Sequence, residues 1–285
     1  MFEYRPTFPL TFPALFSSHF IIHVIVISLF LSSSASGGRT MMRIAFAALF
    51  LVFLSIIPAD GQEQFEKDVI STSGGDLEIT FLGHGTLMFA FGSKIIHIDP
   101  YSKVADYTRL PKADIIFLTH HHRDHLDLAA MEKVRTAETI VVLTEIGAQT
   151  VDGGIIMKNG DIRVIDNITV EAVPAYNLLH KRDTGQVFHP KGEGNGYVMT
   201  FGDKRLYIAG DTENTPEMKG LKNIDYAFLP MNLPYTMTPE MVADAAGSFK
   251  PGVLYPYHYG ETDPERVVEL LENTPEIEIR IRSMK

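Results

Sequence analysis

The stretch Thr119-His120-His121-His122-Arg123-Asp124-His125 concentrates imidazole and carboxylate groups in one short segment of the chain. It follows the apolar run at 115–118, which predicts a short buried strand. Residues 127–134 predict a helix after it. The polar stretch therefore lies where a strand turns into a helix, and loops at such positions often carry functional side chains.

Four side chains of this stretch are predicted metal ligands. Alternate residues of an extended backbone point to the same side, so His120 and His122 can share one divalent ion. Asp124 and His125 come where the loop turns into the helix, and they can reach a second ion. Two neighbouring ions clamp a hydrolytic transition state and share an activated water, which Asp124 would orient or deprotonate. His121 is predicted to be a spacer.

Composition limits the kinds of metal and of partner. The chain has no cysteine, so nitrogen and oxygen atoms must supply every ligand. We therefore expect one or two divalent ions, with zinc preferred and manganese or iron as alternatives. A formal net charge of −10 over 285 residues argues against a nucleic-acid partner and favours a small-molecule substrate.

The order of the predicted elements indicates the fold class. Strands are predicted at 77–81, 87–91, 94–98, 115–118, 139–143, 162–165, 168–173, 196–201, 206–209, 226–229, 253–255 and 277–281. Helices are predicted at 127–134, 145–150, 239–249 and 264–271. This mixture predicts an α/β domain in which two mixed sheets pack face to face with helices outside, an αββα sandwich over residues 62–285.

The spacing His-x-His-x-Asp-His at a strand-to-helix turn resembles the metal signature of the metallo-β-lactamase superfamily. The resemblance implies three further site residues, each directly after a predicted strand. Asp99 matches an acid that supports the metal loop without touching the metal. Asp211, in Ala209-Gly210-Asp211-Thr212, matches the acid that bridges the two ions, and His258 matches the last histidine ligand.

One position departs from the pattern of the superfamily. A third histidine for the first ion is expected after the strand that ends at Val173. Asn177 stands there, and an asparagine can bind a metal through its carbonyl oxygen. His189 and His180 are the alternatives, and a fourth possibility is that the first ion has no third protein ligand from this segment. The binding of the first ion, and so the number of ions, depends on which alternative holds.

A narrower resemblance covers roughly residues 77–260. The segment Leu82-Gly83-His84-Gly85-Thr86 is similar to the Gly-His motif of the branch that contains ascorbate phosphate lactonase and N-acylphosphatidylethanolamine phospholipase D. Segments 189–197 and 230–237 resemble bacterial metal-dependent hydrolases that mostly lack assigned substrates. By this resemblance His84 supports the site from behind the ligands, and Lys191, Asn232 and Tyr235 are candidates to bind substrate.

The first 61 residues are predicted to be an export region. The apolar run at 44–57 follows Met41-Met42-Arg43 and precedes Ala59-Asp60-Gly61, which is the layout of a signal peptide cleaved before Gln62. Residues 1–40 fit a start codon assigned too early, so translation is expected to begin at Met41 or Met42. We therefore expect a secreted or periplasmic bacterial protein, or a membrane-anchored one if the segment is not cleaved.

These patterns predict a metal-dependent hydrolase that uses a metal-activated water on an ester, lactone, amide or phosphodiester bond. The alternative is a non-catalytic protein that kept the fold and binds a metal or another ligand. The missing third histidine favours the alternative, whereas the retention of the other ligand positions favours the enzyme.

Overall fold

The computed structural model describes residues 65–285. The predicted export region at 1–61 lies outside the described residues. Within residues 65–285, none of the helices combines the length and the hydropathy that a membrane span requires.

The first half of the described chain forms a seven-stranded sheet in chain order. Strands β1 to β4 pair antiparallel, and β4 to β7 pair parallel. The strands are β1 Glu66–Thr72, β2 Gly75–Gly83, β3 Thr86–Phe91, β4 Lys94–Ile98, β5 Ile115–Phe117, β6 Ile140–Leu143 and β7 Ile155–Ile156.

The second half forms another seven-stranded sheet, in the order β14-β13-β12-β11-β10-β9-β8. Its strands β8 to β11 pair antiparallel and β11 to β14 pair parallel, so it repeats the mixture of the first sheet. The strands are β8 Ile162–Ile165, β9 Ile168–Ala175, β10 Gly194–Phe201, β11 Lys204–Ile208, β12 Tyr226–Pro230, β13 Val253–Tyr257 and β14 Glu278–Ile279.

Four α-helices accompany the sheets in residues 65–285. They are α1 Leu128–Val134, α2 Pro216–Lys219, α3 Pro239–Phe249 and α4 Glu265–Leu270. The side chains of Asp127 and Thr238 accept backbone N–H bonds and so cap α1 and α3. Pro239 fits the first position of α3 because that position needs no donated hydrogen bond.

Three apolar clusters define four layers. The central cluster joins inward-facing residues of both sheets, such as Phe117 of β5 and Phe228 of β12. A second cluster packs α3 on the outer face of the second sheet, and a third packs α1 on the outer face of the first. The arrangement is the predicted αββα sandwich, in which each sheet buries one face on the other sheet and one face under a helix.

The ends of the parallel strands bring the predicted site together. Asp99 follows β4, and the polar stretch that begins at Thr119 follows β5. In the other sheet, Asp211 comes shortly after β11 and His258 directly follows β13. Because parallel strands end at the same edge of a sheet, both sheets contribute residues to one edge of the sandwich.

Two predicted elements are shorter in the structure, and the sequence did not predict β1, β7 and α2. The helix predicted at 145–150 is a single 3₁₀ turn, Gly147–Gln149, and the last strand spans only Glu278–Ile279. Strand β1 was not predicted, because Ile70 is its only buried residue and the strand lacks an apolar alternation. A polar contact also holds this strand, because Asp68 of β1 forms an ion pair with Arg282 at 2.8 Å.

Candidate metal centre

The backbone turns sharply at the strand ends that carry the site residues. His84, Asp99 and His258 all adopt positive φ angles, of 54°, 45° and 45°. Such conformations are costly for residues other than glycine and cluster at functional sites. Gly210 has a φ of 63°, and a Cβ there would lie 2.9 Å from the Cβ of Thr119. The Ala209-Gly210-Asp211 turn therefore requires glycine for its close approach to the metal loop.

Asp99 organises the metal loop from behind. Its fully buried carboxylate accepts hydrogen bonds from the Thr119 backbone N at 2.7 Å and from Thr119 Oγ1 at 2.6 Å. It also lies 2.8 Å from Nδ1 of His125. The bond to Nδ1 turns Nε2 of His125 toward the centre of the site, which is the supporting role that the sequence predicts for Asp99.

The same geometry recurs at two more histidines. Thr119 Oγ1, which donates to Asp99, lies 3.0 Å from Nδ1 of His120. Asn177 Oδ1 accepts from Nδ1 of His189 at 2.6 Å. A ring that donates from Nδ1 keeps the lone pair on Nε2. In each of these histidines the nitrogen that faces the centre is therefore the one prepared to bind a cation.

Asp211 separates the centre into two halves. Its Oδ1 lies 3.4 Å from Nε2 of His125 and 3.4 Å from Nε2 of His258. Its Oδ2 lies 3.3 Å from Nε2 of His189 and 4.0 Å from Nε2 of His120. One carboxylate thus presents an oxygen to each of two histidine sets, which is the geometry of a bridging ligand.

Several buried polar atoms of the centre have no hydrogen-bond partner within the described part of the chain. They are Nε2 of His120, His125 and His258, and Oδ1 of Asp211. Buried polar groups in native proteins are nearly always satisfied. Since these atoms converge, bound cations would satisfy them together.

The ligand atoms fall into groups small enough to hold an ion. Within each group the candidate atoms lie within 4.8 Å of one another. The groups are His120, His122 and His189; His120, His125 and Asp211; and His84, Asp124, His125 and His258. The set of nitrogen and oxygen donors suits zinc, and also manganese or iron.

Among the alternatives for the third histidine, the structure places His189 beside His120 and His122. Asn177 is buried beside it and accepts from both the backbone N and Nδ1 of His189, so it orients the histidine ring. His180 lies 2.8 Å from Glu213 and belongs to none of the metal-binding groups found among residues 65–285. Asn177, at the position where the superfamily has a ligand, therefore orients the candidate ligand His189.

Glu213 is a site residue that the sequence analysis missed. Its fully buried carboxylate accepts hydrogen bonds from Nδ2 of Asn177 at 3.0 Å and from the backbone N of residues 178, 179 and 180. It lies two residues after Asp211. The short segment that contains Asp211 and Glu213 therefore contacts both ring nitrogens of His189. Asp211 lies near Nε2, and Glu213 acts at Nδ1 through Asn177.

Burial and neighbouring charges perturb the ionisation of the centre. Burial, followed by the positive charge of neighbouring histidines, lowers the pKa of His122 to about 4. Burial also lowers the pKa of His258 to about 3. For His125, burial opposes protonation, but the charges of Asp211 and Asp99 outweigh it and raise the pKa to about 10. The carboxylates thus stabilise a positive charge at the position where a cation would bind.

Asp124 lies on the open side of the centre. Its side chain is 36% exposed, and its Oδ2 lies 3.1 Å from Nε2 of His84 and 3.9 Å from Nε2 of both His125 and His258. Burial would raise the pKa of Asp124, but the hydrogen bond from His84 and the charge of His125 hold it below its ordinary value. His84 therefore keeps Asp124 ionised and oriented.

A cavity of about 390 Å³ opens in front of the centre. Asn232 and Tyr235, both predicted to bind substrate, line it. Lys191, the third predicted substrate residue, does not line it. Its Nζ pairs with Glu217 at 2.7 Å and lies 4.7 Å from the centre of the Tyr176 ring, so its charge is already compensated. Lys191 as a substrate-binding residue stays a prediction, and the structure places its side chain outside this cavity.

We expect Asn177→Ala to weaken metal binding about 10- to 100-fold, because His189 would lose the acceptor that orients its ring. The affinity is measured by competition with a chromophoric chelator. Asn273→Ala, at an exposed asparagine, is the matched control. Unchanged affinity for every ion bound by Asn177→Ala would show that His189 needs no such support.

Comparison with known proteins identifies the family of this chain. The family described as the β-lactamase superfamily domain matches residues 78–258. A UPF0173 metal-dependent hydrolase of Thermococcus onnurineus is 31% identical over 219 residues, which cover 70% of this chain and 95% of that protein. A relative from Koribacter versatilis, named likewise, is 32% identical and covers 65% of this chain and 84% of its own length.

Solved structures agree with these sequence matches. A crystal structure from Parabacteroides distasonis, described as a metal-dependent hydrolase, has a TM-score of 0.74 and 46% identity, and the match covers 78% of this chain and all of that one. Igni18, a metallo hydrolase of Ignicoccus hospitalis, shares the fold with a TM-score of 0.59 and 24% identity over 72% of this chain and 94% of its own. None of these four names specifies a substrate, so the narrower likeness to the lactonase and the phospholipase stays a prediction.

Proposed function

Because this chain belongs to the metallo-β-lactamase superfamily and is a metal-dependent hydrolase, we propose that it hydrolyses an ester, lactone, amide or phosphodiester bond of a small substrate. The observation that carries the proposal is that the two carboxylate oxygens of Asp211 face two different sets of histidines. A carboxylate in this position could bind two cations at once, and paired cations are suited to hydrolysis. When bound, two divalent ions would lower the pKa of a water and polarise the bond under attack.

The residues that would hold the ions divide at Asp211. His120, His122 and His189 with Asp211 Oδ2 form one set, and Asp124, His125 and His258 with Asp211 Oδ1 form the other. All ligands are imidazole or carboxylate groups, for which zinc is our preferred ion. The buried Asp99 and Glu213 contribute negative charge behind the ligands and keep their geometry.

Asp124 is the proposed catalytic residue. Its side chain is 36% exposed to the cavity, whereas Asp211 lines the cavity but is buried, and Asp99 is buried behind the ligands. An ionised carboxylate in this position can orient the attacking water and accept its proton. His84 assists by holding Oδ2 of Asp124 at 3.1 Å. Asp99, which lies 2.8 Å from Nδ1 of His125, would then act only by positioning that histidine.

The second interpretation, a non-catalytic binding protein, loses its main support. It rested on the missing third histidine, whereas the ligand atoms of His189, His120 and His122 lie within 4.8 Å of one another. The open cavity in front of the centre also gives a substrate access to Asp124.

We expect Asp124→Asn and His122→Ala each to lower kcat at least ~100-fold, because one removes the proton acceptor and the other a ligand. Turnover is followed on a panel of chromogenic lactones, phosphodiesters, esters and amides with metal-replete protein. Asp152→Asn, at an exposed aspartate, serves as the control. Full activity of Asp124→Asn on a verified substrate would remove Asp124 from the mechanism.

We also propose that the mature protein begins at Gln62 and is exported. The proposal rests on the basic start, the apolar run at 44–57 and the small residues before Gln62. N-terminal sequencing of the protein from its natural source should give Gln62 as the first residue. A product that retains Met1 would contradict both the cleavage and the assignment of translation start to Met41 or Met42.

A further inference from the structure

The wall of the cavity above the metal centre differs chemically from its floor. The floor is formed by candidate ligands, namely His122, Asp124, His189, Asp211 and His258. The wall is formed by two arginines, two aromatic residues and an amide, namely Arg123, Arg182, Phe188, Tyr235 and Asn232. The wall is therefore the part of the cavity that could contact a portion of the substrate away from the metal centre.

Neither of the two wall arginines pairs with an acidic side chain in the described part of the chain. Within residues 65–285, neither Arg123 nor Arg182 has a carboxylate within ion-pair distance, although the whole chain has a net charge of −10. By contrast, Arg205 and Arg282 pair with acids at 2.6 Å and 2.8 Å. A guanidinium that faces a cavity without an internal partner is suited to a carboxylate or phosphate of a ligand.

Local contacts fix the position of Arg182. Its guanidinium carbon lies 5.0 Å from the centre of the Phe188 ring, within the range of a cation–π contact. Its backbone N donates to Gln186 O and its backbone O accepts from Gly185 N, both at 2.8 Å. These bonds close a small hairpin that leads directly to His189. The arginine is thereby placed at a set position relative to a candidate metal ligand.

The aromatic residues give the wall an apolar surface. The rings of Phe188 and Tyr235 meet edge to face with centroids 5.0 Å apart, and Tyr235 is 44% exposed. The backbone O of Tyr235 accepts from Nδ2 of Asn177, so this surface is tied to the residue that orients His189. A flat apolar group of a substrate can pack there, beside the guanidinium.

We propose that the substrate is an oxyanion-bearing molecule with an apolar, preferably aromatic body, and that Arg182 binds its anionic group. The carboxylate or phosphate would pair with Arg182, the body would pack on Phe188 and Tyr235, and the bond to be cleaved would lie above Asp211. This inference rests on the proposed hydrolytic function, since it assigns the substrate class of the same site.

The test compares anionic and neutral forms of matched molecules on the zinc-loaded protein. In the kinetic arm, mono-4-nitrophenyl glutarate carries a free carboxylate and its methyl ester does not. In the binding arm, benzoate and phenylphosphonate are compared with neutral benzamide by calorimetry. Each arm uses the wild-type chain, Arg182→Ala and the control Arg163→Ala, whose exposed arginine lies on β8 outside the cavity.

We expect Arg182→Ala to reduce the preference for the anionic ester, and the affinity for at least one of the two anions, roughly 10-fold or more, a scale set by charge-assisted hydrogen bonds. Its kinetics on the methyl ester, its affinity for benzamide and its metal content should stay at wild-type values. A loss confined to benzoate or to phenylphosphonate identifies the carboxylate or the phosphate as the natural anionic group.

Equal binding of both anions by Arg182→Ala and the wild-type chain would overturn the proposal. If the wild-type chain hydrolyses neither ester, the binding arm alone decides, because it needs no turnover. A charge preference in binding without hydrolysis of any ester, lactone, amide or phosphodiester would leave the recognition of anions standing and contradict the proposed function.

Discussion

The buried carboxylate of Asp211 is the constraint on which the site depends. An ionised group removed from water costs several kcal/mol unless other charges compensate it. Here the compensation comes from imidazoles on both sides, with Nε2 atoms 3.3 Å to 4.0 Å from its oxygens. The burial of Asp211 and the unsatisfied nitrogens around it are two aspects of one arrangement, because cations placed beside each oxygen would satisfy both.

The fold supplies this arrangement through its two sheets. In each sheet the parallel strands end at the same edge. Residues that follow β4 and β5 in the first sheet therefore lie close to residues that follow β11 and β13 in the second. The third histidine comes instead from a loop between β9 and β10. That loop needs separate support, and Asn177 and Glu213 provide it through a chain of buried hydrogen bonds.

The sequence predicts most of the fold and the centre, because both depend on local patterns. Short apolar runs mark the buried strands, and the spacing of His120, His122 and Asp124 is visible in one turn. Strand β1 and the role of Glu213 could not be predicted, since each depends on partners distant in sequence or on buried backbone groups. The pairing of Lys191 with Glu217 could not be predicted either, because Glu217 comes from a helix that was not predicted.

Anomalous diffraction from crystals of the zinc-loaded protein would show whether Asp211 lies between two ions. We expect two peaks at the zinc edge, one beside each carboxylate oxygen of Asp211, with Nε2 of His120 and His189 near one peak and Nε2 of His125 and His258 near the other. A map with a single peak, or with none beside Asp211, would contradict a centre bridged by this carboxylate.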